Sequence, residues 1–128
     1  MEELVTRIAA ATGLDVDTAR KAASIVLAFL AKEAPADVMA ALFAAVPGTA
    51  EAAASPDAAE GGGLLGGLAG MMGGGGVMAL AGQLNSAGVP MGDLAALGKE
   101  FFAFGREKAG EDTVGAIVGA VPGLGQFV

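Results

Sequence analysis

The sequence predicts an all-α protein, a helical bundle of two duplicated three-helix units joined by a Gly-rich linker. Three observations lead there. Apolar residues recur at helical spacing in both arms of the chain. Residues 5–48 and 80–123 align without a gap at an offset of 75. The segment between them has a different composition. The boundaries are residues 1–48 for the first helical repeat, 49–76 for the Ala/Gly-rich linker and 77–128 for the second repeat, within one compact domain.

The first helix opens on Glu2 and Glu3, acids suited to a helix N-terminus, and Leu4, Ile8 and Ala11 follow on one stripe. Gly13 fits the left-handed position that ends a helix, Leu14 closes over that end, and Asp15 is placed as the next N-cap. The second helix is expected from about Val16 to Glu33, with Ala19, Ala22, Val26, Phe29 and Leu30 inward. Arg20, Lys21, Ser24 and Lys32 fall largely off that stripe. Pro35 is suited to the first turn of a third helix, with Asp37 beside it. Val38, Leu42, Ala45 and Val46 form the third stripe, and Pro47-Gly48 stops it.

The second copy repeats these signals. Gly13 matches Gly88, Ala28-Phe29 matches Ala103-Phe104, Ala34 matches Ala109, Asp37 matches Asp112 and Ala41 matches Ala116. Ala45-Val46-Pro47-Gly48 matches Ala120-Val121-Pro122-Gly123, which makes ten identities in 44 positions. Two are glycines at helix ends, where few residue types fit, so the helix breakers themselves are in register.

Between the copies, Thr49–Glu60 reads as a tether or a short frayed helix. Gly61–Gly76 interleaves glycines with Leu64, Leu65, Leu68, Met71 and Met72. Ordering so many glycines is entropically costly, and the plain reading is a flexible linker. Gly62, Gly66, Gly70 and Gly74 also fall every four residues, the spacing of close helix packing. That leaves two alternatives, a helix on this protein or a partner, and membrane insertion. Against insertion, the apolar residues are sparse compared with the roughly 20 a spanning helix needs, and basic and aromatic anchors are missing from the flanks.

Composition narrows function. Net charge is −7, from 14 acidic and 7 basic residues, so no positive field draws the chain to nucleic acid or anionic lipid. With no Cys, thiol catalysis, disulfides and thiolate metal sites are out. With no His, the usual neutral-pH base and the commonest transition-metal ligand are missing as well. The N-terminus MEELVTRIAA has neither the basic nor the apolar region of a signal peptide, which predicts a cytoplasmic location; a leader cleaved upstream would leave no mark in these residues.

The remaining polar groups form no catalytic pattern. Asp15 and Asp17 lack the glycine, further oxygen ligands and distal Glu of a calcium loop, and Glu111-Asp112 stands where a helix begins. Gly92…Gly98-Lys99 is one residue too long for a phosphate loop, and Glu100 replaces the needed Ser or Thr. Ser24, Ser55 and Ser86 have no His partner. Lys32, Lys99 and Lys108 each adjoin a Glu, as solvated helix faces do. Phe101-Phe102-Ala103-Phe104 is the one dense aromatic cluster. Phe101 and Phe104 continue the inward stripe, while Phe102 points elsewhere, toward the other copy, a second subunit or a ligand; core or inter-repeat packing is the preferred reading over an external binding surface.

The run Ala45-Val46-Pro47-Gly48, the Ala-rich stretch, the Gly-Leu segment and LNSAGVPMGDL leading into a helix and Lys-Ala-Gly together resemble a bacterial family of Vcg-type proteins, a domain of unknown function. The resemblance covers nearly the whole chain and rests on helix ends and linker composition. It implies a two-repeat helical fold and a bacterial source, and brings no activity, cofactor or catalytic residue with it. Each unit alone has few large apolar residues, so burial must come from copy on copy or chain on chain. The expectation is a non-enzymatic helical interaction or scaffold protein without cofactor or metal, either homo-oligomeric or bound to a protein partner. The alternative is an apolar-ligand or membrane-surface protein using the Gly-Leu-Met segment. The candidate interaction residues are Leu64, Leu65, Leu68, Met71, Met72 and Phe102.

Overall fold

The computed structural model describes residues 2–53 and 77–121. These form helices α1 (Glu2–Thr12), α2 (Val16–Glu33), α3 (Ala36–Ala45), α4 (Thr49–Ala53), α5 (Val77–Ser86), α6 (Leu94–Ala109) and α7 (Glu111–Ala120). A 3₁₀ turn, Met91–Asp93, leads into α6. The described residues are all-helical apart from turns, with no strand among them.

α1 begins with its two acids and buries Leu4, Val5 and Ile8. The inward stripe therefore runs through Val5, and Ala11 is exposed. The helix ends as its glycine requires: Gly13 has φ 77 and its N–H donates to the Ala9 carbonyl at 2.8 Å. Asp15 stands at the N-cap position of α2, but its side chain makes no capping bond. Its extended backbone, whose carbonyl accepts from the Ala19 N–H at 2.8 Å, starts the helix instead.

α2 spans the residues expected of it, because Gly13 before and Pro35 after bracket one uninterrupted helical pattern. Its burial is broader than a stripe. Ala22 through Leu27 are all buried, together with Ala19, Phe29 and Leu30. Six consecutive buried residues cover the whole circumference of a helix, so α2 is enclosed, by α1, α3, α4 and α5. Ser24, expected off the inward face, is 1 % exposed for this reason. No described buried polar side-chain atom lacks a hydrogen-bond partner, as buried polar groups require. Small side chains at Ala19, Ala22, Ala23 and Ser24 let the neighbouring helices approach.

Pro35 precedes α3 rather than opening its first turn; its carbonyl accepts from the Met39 N–H at 3.0 Å. α3 buries Met39 and Leu42, followed by Val46, while Val38 and Ala45 are half-buried. The stretch expected as a tether or a short frayed helix begins as a short helix: the buried Thr49 hydroxyl donates to the Val46 carbonyl at 2.7 Å, and α4 packs on α2.

The second half runs through the same kinds of element. α6 buries Leu94, Leu97, Phe101, Phe102, Phe104 and Gly105, and α7 buries Val114 and Ile117. The packing order is not sequential. α1 lies on both α2 and α6, α5 lies on α2, and α3 touches both α6 and α7. The first helix of each half thus contacts the second helix of the other, and the third helices contact each other. The buried apolar side chains of the described residues join one core cluster.

Candidate interaction surface

The densest group of charges lies along α1 and α6. Arg7 forms an ion pair and hydrogen bond with Glu107, and its Nε lies 3.4 Å from Glu100 Oε2. Its guanidinium sits 5.5 Å from the centroid of the Phe104 ring. Lys108 Nζ is 5.7 Å from the same centroid and 3.5 Å from Glu3 Oε2. Phe104 therefore carries two cations over its ring, the favourable cation–π geometry. The hydrogen bond to Glu107, aided by the charges of Glu107 and Glu100, raises the Arg7 pKa above its ordinary value despite some burial. Arg7 stays a cation at every working pH.

Nearby, Arg20 Nη2 donates to both carboxylate oxygens of Glu2 at 2.8 and 2.7 Å, and Asp17 Oδ1 is 3.8 Å from Nη1. These pairs are partly or largely exposed, where ion pairs contribute little each. Their arrangement ties α1 to α6 and α2. Its members are carboxylates, two guanidinium groups and one ammonium group. The acids Asp15 and Asp17 stand at the start of α2, and Glu111 and Asp112 at the start of α7, where they complement the helix dipoles. Among the described residues no three acidic side chains converge on a position that could hold a metal ion.

Phe102 is 2 % exposed and meets Phe101 edge-on, with centroids 5.2 Å apart and planes at 79°. As a candidate for contact with an outside partner it is corrected by its position, because α6 is embedded between α1, α3 and α7 and the ring faces the chain's own core. Leu64, Leu65, Leu68, Met71 and Met72 lie outside the described residues. No described helix is long and apolar enough to cross a membrane.

Two surface features escaped the sequence reading. Val16 and Met91, 49 % and 62 % exposed, are the large apolar side chains left open among the described residues. They are 75 positions apart, the offset of the alignment. The second feature is the outward side of the third helices. On α3 the exposed residues are Ala36, Asp37, Ala40, Ala41 and Ala44; on α7 they are Glu111, Asp112, Gly115, Ala116 and Gly119. These sets are also 75 apart, position for position. Helical spacing puts each set on one face, but neither contains a large apolar residue that would have drawn notice. No protein family matches the chain, and neither a curated protein nor a solved structure does.

Proposed function

We propose that the chain is two copies of one three-helix unit, interlocked as a pseudo-dimer, and that it acts as a non-enzymatic helical interaction or scaffold protein. The element bounds support the duplication. Shifted by 75, α2 falls on the 3₁₀ turn plus α6, and α3 coincides with α7. Gly13 and Gly88 both have positive φ, and Val46 and Val121 end their helices with similar extended backbones. Buried positions correspond with exchanged volumes: Ala19 and Ala22 against Leu94 and Leu97, Val26 and Leu27 against Phe101 and Phe102, Leu30 against Gly105. The Vcg-type resemblance agrees with a two-repeat helical family.

The observation that carries the interaction reading is the outward face of α3 and α7. A solvent face is ordinarily rich in charged side chains. Here, beyond the first-turn acids, it is Ala on one helix and Gly-Ala-Gly on the other. Interaxial distance is set by side-chain size at the contact, so such faces suit close approach of other helices. A second copy of this chain is the simplest occupant. Sedimentation velocity from micromolar to millimolar protein is the test. The expected result is concentration-dependent association that Ala41→Glu with Ala116→Glu abolishes while helicity is kept. A monomer throughout, without concentration dependence, would remove self-association as the role of this face.

A further inference from the structure

The chain carries twice as many acids as bases, 14 against 7, so a base has ample opportunity to pair within the molecule. Arg7, Arg20 and Lys108 each do so. Lys32, Lys99 and Arg106 form no ion pair among the described residues. Two of these, Lys99 and Arg106, stand on α6. Both are exposed, and they lie two helical turns apart, about 10 Å at the usual rise per residue. Helical spacing puts them on one face with the exposed Ala95 and the half-buried Ala103. The residues three and four positions from Lys99 are Ala95, Ala96, Phe102 and Ala103; from Arg106 they are Phe102, Ala103, Ala109 and Gly110. No acid therefore stands where a neighbouring turn could neutralise either cation. Glu100 and Glu107 lie further round the helix, where they hold Arg7.

The outward face of α3 and α7 has the opposite sign. Asp37, Glu111 and Asp112 are its charges, all exposed and none in an ion pair among the described residues. The rest of that face is alanine and glycine, and it carries no base. The chain thus presents small side chains with bases on α6, and small side chains with acids on α3 and α7. At an offset of 75, Lys99 and Arg106 align with the buried Ser24 and the exposed Ala31, so the basic face belongs to the second half alone.

We propose that a second copy meets the α3 and α7 face through its α6, so that the Lys99 and Arg106 face of one chain seats against Asp37, Glu111 and Asp112 of the other. This rests on the reading that a second copy occupies the α3 and α7 face, and it adds which surface of that copy is used. Two α3 and α7 faces brought together would set acid against acid, and like charges across a contact are costly. Unlike faces give both cations an acidic partner. The alanines beside the bases, and the alanines and glycines beside the acids, let the helices approach closely, and short separation is what gives the opposite charges their weight. The contact joins two different patches and is heterologous.

Sedimentation velocity of the full chain and of two charge-reversed variants tests this. Lys99→Glu with Arg106→Glu is expected to weaken association at least tenfold, and so is Asp37→Lys with Asp112→Lys. The first variant makes the chain more acidic and the second less, so a loss in both cannot come from net charge. Mixed in equal amounts, the two variants are expected to associate again, because each supplies the sign that the other has lost. Circular dichroism checks that helical content is kept. If Lys99→Glu with Arg106→Glu associates like the unaltered chain while Ala41→Glu with Ala116→Glu does not, a copy still binds the α3 and α7 face but not through α6, and this proposal alone is overturned. A mixture that stays dissociated overturns it as well. An unaltered chain that remains monomeric overturns it together with the reading on which it rests.

Discussion

Phe102→Ala is expected to destabilise the protein by about 3–5 kcal/mol, the usual cost of emptying a buried aromatic site. Phe102 is 2 % exposed and gives its neighbour Phe101 an edge-to-face contact, an arrangement that adds about 0.5–1.5 kcal/mol beyond area burial. The surroundings cannot easily repair the loss. The core includes Ala19, Ala22, Ala23, Ala34 and Ala81, and an alanine has no spare length to reach into a cavity. Domains of this kind hold roughly 5–15 kcal/mol in total, so the substitution removes a large fraction of what is available. Phe102→Leu keeps most of the volume and is expected to cost about 1–1.5 kcal/mol. With no Trp or Tyr in the chain, urea unfolding is followed by far-ultraviolet circular dichroism. A cost below about 0.5 kcal/mol for Phe102→Ala, the size of an ordinary surface change, would return Phe102 to the surface and revive it as a contact for a partner.

The second large effect separates two glycines by sign. Gly110 has φ 95 and ψ 158 and serves at once as the C-cap of α6 and the N-cap of α7. Its N–H donates to the Arg106 carbonyl at 3.0 Å and its carbonyl accepts from the Val114 N–H at 3.3 Å. A Cβ there would touch nothing within 4 Å, so the cost of Gly110→Ala is purely conformational, about 1–3 kcal/mol for a region of backbone space that belongs to glycine. Gly115 also has open space around it, but it lies inside α7 with helical backbone. Gly115→Ala is expected to stabilise the monomer by about 0.5–1 kcal/mol. Thermal unfolding of the two variants side by side checks both signs. If α7 is held close to another helix through this face, Gly115→Ala will at the same time weaken association, a combination that improved helix propensity alone does not produce. Position 35 aligns with position 110 at an offset of 75, and there Ala34 and Pro35 turn the chain with ordinary extended dihedrals. One reversal has two chemical solutions, and only the second depends on a glycine.

Local signals made the helix bounds legible. Gly13, Pro35, Pro47-Gly48 and Gly110 each interrupt a periodic pattern, and their effect is decided by backbone sterics within a few residues. The packing was less accessible. Periodicity assigns a helix one apolar face, so it treats α2 as half-exposed; enclosure of Ser24 depends on how many helices surround it. Asp15 takes the N-cap position its spacing predicts, but its side chain makes no capping bond, a detail that depends on a rotamer rather than on spacing. Arg7 finds Glu107 a hundred residues away, beyond any rule of neighbouring turns. The surface reading was limited in another way. Large side chains attract attention, and the face that α3 and α7 present is made of the smallest ones.

The interlocked arrangement is tested most directly by side-chain nuclear Overhauser contacts in isotope-labelled protein, diluted with unlabelled chain to isolate contacts within one molecule. The expected result is a pair of contacts that join opposite halves: the Arg7 side chain to the Phe104 ring, and Gly88 to the Thr18 methyl, which lies 3.5 Å from a Cβ placed at Gly88. Contacts confined to α1 with α2 and to α5 with α6, and none across the halves, would contradict it.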